Sequence, residues 1–523
     1  MREGPVALLF HKEDAMDKQL FMAVDLGTSF IKTAVYDSDG NCLGGTSEPV
    51  RDERPAPGIF LQRGDFCYEA VIGCLKHTAD ALGERSRDVC AMAFTGQMAG
   101  SMGVDENWND ITTWSCSLDS RYLPYADEQR EKFGDEMFSI GGTSAPVMCA
   151  KYAWFKDAFP KEHSKIAKYV MLGSYIIGRL SRIPVDEAKI DYSLITWTGM
   201  SDIKNRCWSE TLCEKMGIDR ALLPKIVSCT DIGGSLCEEE AKKIGLPAGI
   251  PLIVGAGDKV SGCTGAGIFD EGDMIFEAAS YGAISCKVKH AILDEEKRNY
   301  DVIGSIDNES YYIHKYIQGS GISIDWFVDH FIREESMTKK EAFAKADMLA
   351  QEIKIGSDRM LAIGLLSGSA IPFDSELRGA FMGHTWAHGK GHFYRALLEG
   401  FSYDLALTLK SIEKAYPHLK GSTVKLIGGG AKSTVWPQML SDVTGHEFAL
   451  LSREDVALWG AALLAAKGIG AIDDIAARAQ EKVTVKKVFS PNEEQNKIYE
   501  KYISLYEEFT IGLHGLFEKL NRI

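Results

Sequence analysis

The chain has 523 residues, 45% hydrophobic and 25% charged, with a formal net charge of −16, an ordinary globular balance with length for about two to four domains. An acidic surface repels phosphate backbones, which argues against nucleic acid and anionic membranes as partners while leaving room for a local nucleotide pocket. No apolar run reaches the roughly 20 residues of a membrane helix, the Val6–Phe10 patch is too short for a secretory signal, and the cysteines form no CxxC pair, which together predict a cytoplasmic protein with reduced thiols.

In chain order, Phe21-Met-Ala-Val-Asp25 is an apolar run expected as a buried strand. A tight Leu26-Gly-Thr-Ser29 turn follows, then alternation from Ile31 to Tyr36 and an Asp39-Gly40 turn into a third strand beginning at Asn41. A hairpin this early is unlike the βαβ start of a dinucleotide-binding unit. A helix is expected over Asp65–Ala81 and a strand over Val89–Thr95, ending in Gly96-Gln97-Met98. Further on, Ile250–Gly257 reads as a strand running into a glycine turn, with a small-residue helix, Lys259–Gly267, opened by Asp258. A strand pair is expected across Met274–Val288, then a strand from Val424 into Gly428-Gly429-Gly430, followed by a helix from Ser433 to Val443. The chain closes on an amphipathic helix, Asn492–Leu520. Strand and helix signals alternate, which predicts α/β architecture.

Three segments carry chemistry-bearing residues at a strand's carboxyl end, where α/β proteins bind ligands. In Asp25–Ser29, Gly27 allows close backbone approach, Thr28 and Ser29 add hydroxyl donors, and Asp25 suits a hydrated Mg²⁺; a plain hairpin with a capping Asp is the other reading. In Gly255-Ala-Gly-Asp258, a carboxylate in the positive field of a helix start stays ionised and can accept a proton from an attacking hydroxyl; an N-cap without chemistry is the alternative. In Gly428–Ser433, three glycines can lie flat against a nucleoside, or form an ordinary βα turn. There is no GxxxxGK[ST], and no GxGxxG after a strand, which disfavours NAD.

Together these residues resemble the FGGY carbohydrate kinases, which share the fold of actin, hexokinase and the heat-shock chaperone ATPases. Asp25-Leu-Gly-Thr-Ser29 is similar to the family's first phosphate loop, Thr95-Gly-Gln-Met98 to its sugar-binding turn, and Trp114–Arg121, with Asp119-Ser-Arg121, to its Trp…Asp-x-Arg segment. Asp191-Tyr-Ser193, Thr198–Asp202 and Trp208-Ser209 resemble the stretch that closes the first domain. Gly257-Asp258 matches the catalytic base. Arg378–Gly383, with His388, His392, Arg395 and Glu399-Gly400, resembles the second-domain signature, and Gly428–Ser433 with Ala457–Ala466 the adenosine-binding end.

The resemblance implies two actin-like, ribonuclease-H-like domains flanking a catalytic cleft, residues 20–268 for the sugar and base and 269–523 for the nucleotide, after an N-terminal extension of residues 1–19. It implies ATP and Mg²⁺, and a ketose or polyol acceptor, most simply a xylulose-like pentulose. Asp258 is the expected base. Gln97, Met98, Asp119 and Asp258 are expected on the sugar; Gly27, Thr28, Ser29, Lys32, Ser280, Gly429, Gly430, Ala431 and Ser433 on the nucleotide; Asp25 and, through water, Asp258 on the metal. A homodimer is compatible with this reading.

The sequence also departs from the family pattern. Ala99 stands where xylulose kinases carry His after Gln-Met, Asp119 falls late after Trp114, and the second phosphate turn reads Ala279-Ser280-Tyr281-Gly282 in place of Gly-Thr-Ser. A Ser-Gly-Glu-Arg stretch reads Ser367-Gly-Ser-Ala370. The altered turn frames the alternative, a sugar- or nucleotide-binding regulator without turnover. Trp154, Trp197, Trp326 and Trp386 are expected in packing and His388 and His392 on one helix face, while Lys259 reads equally as a phosphate contact or as a lysine in solvent or at a cap.

Overall fold

The computed structural model describes residues 19–523 apart from Ser144 and Pro146. The Val6–Phe10 patch and, except for its last residue, the expected extension of residues 1–19 lie outside the described residues.

Two sheets organise the chain. The first holds β1 (Leu20–Leu26), β2 (Phe30–Asp37), β3 (Cys42–Pro49), β4 (Val89–Gly96), β5 (Ile232–Ser235) and β6 (Pro251–Ile253), in the order β5-β6-β4-β1-β2-β3. β1, β2 and β3 form an antiparallel meander, and β4 and β6 run parallel to β1. The second sheet holds β7 (Met274–Glu277), β8 (Gly282–Val288), β9 (Asp301–Gly304), β10 (Tyr311–Ile317), β11 (Val424–Ile427), β12 (Phe448–Leu451) and β13 (Val485–Phe489), in the order β9-β10-β8-β7-β11-β12-β13. Here β7, β8 and β10 form the meander and β11 and β12 lie parallel to β7. The meander-plus-parallel pattern therefore occurs twice.

Period-two alternation explains how the first sheet is covered on both faces. Leu20, Met22, Val24 and Leu26 of β1 and Met92 and Phe94 of β4 enter one core, with helix α1 (Gly64–Leu82). The intervening Phe21, Ala23, Ala91 and Ala93 face a second core shared with α2 (Asp258–Gly265) and an alanine-rich helix, Val456–Gly468. That helix follows the second sheet's β12 in sequence, yet it packs against β1 and β4. The expected division between residues 268 and 269 falls between α2 and β7, and this helix crosses it in space. The crossing with α2 is very close. A Cβ on Gly265 would meet the Val456 carbonyl oxygen at 2.0 Å, and one on Gly460 the Ser261 carbonyl oxygen at 1.8 Å. Only glycine fits at this contact.

Several expectations shift. The Ile250–Gly257 strand shortens to β6, because Val254 N–H donates to the Asp231 carbonyl and Gly255 N–H to that of Cys229, which takes the chain off the sheet. The helix expected from Ser433 becomes a 3₁₀ turn, Gly429–Lys432, and a helix over Trp436–Thr444, with Ser433 Oγ accepting from Val435 and Trp436 N–H between them. Trp154 and Trp197 are buried, but Trp386 is fully exposed (107%) and Trp326 largely so. His388 lies in the loop before the helix Lys390–Ala415, and its ring and that of His392 meet beside Asp358. Among the described residues no helix is long and apolar enough to cross a membrane.

Candidate active site

The carboxyl ends of β1, β4 and β7 and the start of α2 converge, and four ionisable groups meet there. Asp25 ends β1, Asp258 opens α2, Lys259 follows it, and Glu277 ends β7. Lys259 Nζ lies 2.5 Å from Glu277 Oε2 and 3.8 Å from Asp258 Oδ2. Burial works against the Lys259 ammonium, but Glu277 and then Asp258 outweigh it and hold it protonated. Lys259, only 13% exposed, is thus a buried tie from the first sheet's helix to the second sheet rather than a solvated or capping lysine.

Asp258 Oδ1 accepts from Lys259 N–H at 2.8 Å, and 37% of its side-chain surface is open. Burial pushes its carboxyl up, with Lys259 opposing. Asp25 goes further. Burial, then the Asp258 charge, raise its carboxyl to about 7 against the pull of Lys32 and Lys259. Carboxylates with raised proton affinity, gathered where strands end, are a mark of proton-handling sites.

The predicted residues fall into distinct surroundings. Gly27, Thr28 and Ser29 form the β1–β2 turn. The Thr28 carbonyl accepts from Gln62 Nε2 at 2.7 Å and that of Ser29 from Val50 N–H at 2.9 Å, which ties the turn's carbonyls into the protein. Lys32 stands exposed on β2, paired in register with Asp25. Ser280 lies exposed in the β7–β8 turn, steadied by Ile322 N–H on its carbonyl and by Ser320 Oγ on Gly282 N–H. Gly429 is exposed with open space where a Cβ would project, whereas the Trp436 ring covers Gly430 and Ala431 is buried. Ser433 is spent on structure: its Oγ donates to Asp347 Oδ1 at 3.0 Å and caps the next helix. Asp347 also accepts from Thr434 and Tyr394, and sequence reading missed it as the anchor of this loop.

On the acceptor side, Gln97 Oε1 accepts from Trp114 Nε1 at 3.3 Å, and its backbone N–H donates to the Leu26 carbonyl at 3.2 Å. Met98 is buried with its side chain against Gly257, and Tyr316 Oη reaches its sulfur at 3.9 Å. Asp119 differs from expectation. It is 0% exposed, and its oxygens accept from Arg121 Nε and Nη2, both at 2.8 Å, and from Ser115 Oγ at 3.0 Å. Its carboxylate thus positions Arg121, whose guanidinium stacks 4.5 Å from the Trp154 ring, instead of facing an open surface. Buried Lys151 clamps the same segment, donating to the Ser115 and Cys116 carbonyls at 2.6 and 2.9 Å.

Glu277, Arg121 and Lys151 were missed by sequence reading. A signal for Glu277 did exist: Asp25-Leu-Gly-Thr-Ser29 and Glu277-Ala-Ala-Ser-Tyr281 each end a strand and open a hairpin, so the acidic residues correspond.

A phosphate-and-metal ligand fits this arrangement in its donor chemistry. Two hairpin turns supply hydroxyls and N–H groups, Gly429 leaves room for a flat group, and the acidic oxygens suit a hard cation. Among the described residues no group of three or more His, Cys, Asp or Glu side chains gathers to hold a metal.

Residues 20–265 match the FGGY family of carbohydrate kinases, N-terminal domain, and residues 287–469 its C-terminal domain. A xylulose kinase of Bacillus subtilis (strain 168) is 26% identical over 497 residues, 93% of this chain and 95% of that protein. A gluconokinase of the same organism is 26% identical over 464 residues, covering 86% and 88%. The crystal structure of a ligand-bound xylulose kinase from Lactobacillus acidophilus superposes with a TM-score of 0.87 at 21% identity, covering 96% of this chain and 100% of that one.

Proposed function

We propose, for a chain that belongs to the FGGY family of carbohydrate kinases, that ATP-dependent transfer runs to a hydroxyl of a neutral ketose or polyol, with a xylulose-like pentulose the leading acceptor and Asp258 the base. The observation that carries this reading is the convergence of Asp25, Asp258 and Glu277 around Lys259, where the first sheet's base meets the second sheet's phosphate turn.

In this reading residues 20–268 bind the acceptor and 269–523 the nucleotide, with the helix Val456–Gly468 reaching back to brace α2. Asp258 takes the proton of the attacking hydroxyl. Its raised proton affinity, set by burial against the pull of Lys259, suits a group that accepts a proton. Lys259, held charged by Glu277, keeps positive charge beside that base without contributing a second titrating group. Mg²⁺–ATP, when bound, supplies the phosphoryl group and the counter-charge for it. Asp25 and Asp258 would hold the hydrated metal through water. Gly27, Thr28, Ser29 and Lys32 on one turn and Ser280 and Gly429 on the other side would cradle the phosphates and the nucleoside. Gln97 and Arg121 would fix acceptor hydroxyls, with Met98 behind them and Asp119 acting through Arg121. Its cysteines, none in a disulfide, fit a reducing cytoplasm. A homodimer carries no part of this mechanism.

The test is ADP release across D-xylulose, D-ribulose, xylitol and D-gluconate. Acceptor-dependent, Mg²⁺-dependent release from the wild type and its loss in Asp258→Asn are expected. Acceptor-independent hydrolysis at the same rate would sink the proposal.

A further inference from the structure

Asp191 is a buried acid that the mechanism above does not use. It ends the short strand Lys189–Asp191 and is 1% exposed. Its Oδ1 accepts from Ser193 N–H at 2.8 Å and from Ser193 Oγ at 2.5 Å, and Ser193 Oγ accepts from Gly257 N–H at 2.9 Å. One oxygen is therefore committed to a strut that ends one residue before the base. The other, Oδ2, has no partner among the described residues.

Asp191 lines a cavity of about 30 Å³ at the carboxyl ends of β1, β4 and β6, together with Leu26, Thr95, Gln97, Gly173 and Gly257. Two more of these residues carry a buried polar atom without a partner among the described residues: Thr95 Oγ1 and Gln97 Nε2. The Trp114 bond to Gln97 Oε1 leaves the Nε2 end of that amide unspent. A buried polar atom that stays unpaired costs about 1–3 kcal/mol, so three around one cavity point to something that pairs with them. The volume exceeds what one water needs and is far too small for a sugar ring.

The set of orphans defines the complement. Asp191 Oδ2 only accepts while ionised, Gln97 Nε2 only donates, and Thr95 Oγ1 does either. An alcohol hydroxyl matches all three, since it donates one hydrogen bond and accepts others. A carboxylate cannot donate to Asp191 and would set two negative charges together in a buried space. Burial pushes the Asp191 carboxyl up to about 7, so the exclusion of a carboxylate is strongest above that pH, where Asp191 is ionised.

Resting on the kinase reading of this site, we infer that the cavity is a subsite for the terminal hydroxymethyl group that stands where an aldonic acid carries its carboxylate, read by Asp191, Thr95 and Gln97, and that it selects neutral ketoses and polyols over aldonic acids.

Asp191→Asn is a clean probe. It keeps Oδ1 for Ser193 and replaces the free acceptor by a donor. Thr95→Val removes the hydroxyl at constant shape and serves independently if the first variant folds poorly. KM and kcat are measured with the full chain for D-xylulose, D-ribulose, xylitol and D-gluconate, with the KM for ATP as control. Each variant is expected to raise KM for the best neutral acceptor roughly 10- to 100-fold, with ATP KM unchanged. Asp191→Asn should also narrow the preference for that acceptor over D-gluconate. Acceptor KM within twofold of wild type in both variants overturns the subsite, as does a wild type that prefers D-gluconate or turns over no neutral acceptor. Asp258→Asn separates the two levels. If it is inactive while the subsite variants behave as wild type, the subsite fails and the kinase reading stands; if it stays active, the reading of the base fails.

Discussion

The two hairpin turns that face each other between the sheets share a topology and differ in chemistry. In the first, Asp25, next to last in β1, closes no ion pair among the described residues; burial and then the Asp258 charge raise its carboxyl to about 7 against the pull of Lys32 and Lys259. In the second, Glu277 ends β7 at the corresponding place and is tied to Lys259. The first turn continues Gly-Thr-Ser, open and hydroxyl-rich; the second continues Ala-Ala-Ser-Tyr, with Tyr281 half-buried. A repeated backbone thus fixes where an acid stands, and the neighbour decides what it does. An acid outside a close ion pair is available to a ligand, and one paired to a lysine joins the halves.

Substitutions at these two acids should separate the roles. Asp25→Asn is expected to lower turnover roughly 10- to 100-fold, the usual cost of losing an outer partner of a metal. It should also stabilise the fold at pH 8. The sign follows from the raised carboxyl: between the ordinary carboxylate range and about 7 the folded protein holds a proton that the unfolded chain releases. The resulting penalty grows as pH rises, is complete above about 7, and is lost near pH 4. A Tm gain of roughly 2–4 °C at pH 8, shrinking towards pH 4, is the expected record by differential scanning calorimetry. For the same reason wild-type kcat/KM should decline as pH falls through about 7, well before an ordinary carboxylate would titrate. A flat profile down to pH 5 would remove Asp25 as a functional carboxylate.

Glu277→Gln should do the reverse to stability. It leaves a buried lysine with Asp258 alone, so Tm falls, and turnover drops by about tenfold or less as the base is pulled out of line. A variant as stable as wild type would mean that Lys259 finds another partner. The smallest effect is expected at Tyr281→Ser, which restores to the second turn the hydroxyl of the first. One added hydrogen bond predicts a two- to fivefold lower KM for ATP, about 0.5–1 kcal/mol; an increase would assign Tyr281 itself to the nucleotide.

How much of this could be read from the chain alone follows the range of the forces involved. The strands from β1 to β4 and the helices α1 and Asn492-capped Glu493–Leu520 were legible because apolar periodicity and turn residues are local signals. The helix start at Asp258 was legible because a carboxylate after Gly-Ala-Gly announces one. The Lys259–Glu277 tie spans two sheets, and no local pattern announces a partner that far along the chain. Asp119 was read as a ligand because its type suited sugar hydroxyls; its nearest donor, Arg121, lay in plain view two positions on. The strand expected from Ile250 into a glycine turn covers only Pro251–Ile253, because the Val254 and Gly255 N–H groups found partners in the Cys229–Asp231 loop, a tertiary competition that propensity does not record.

The central claim is that Asp258 acts on the acceptor's proton and not on binding. Rapid-quench single turnovers of Asp258→Asn, with acceptor and nucleotide affinities titrated by calorimetry on the same preparation, address it directly. A phosphoryl-transfer rate lower by about 10²–10⁴, with both dissociation constants within about threefold of wild type, is the expected result. Transfer near the wild-type rate, or a lost rate explained wholly by lost binding, would contradict it.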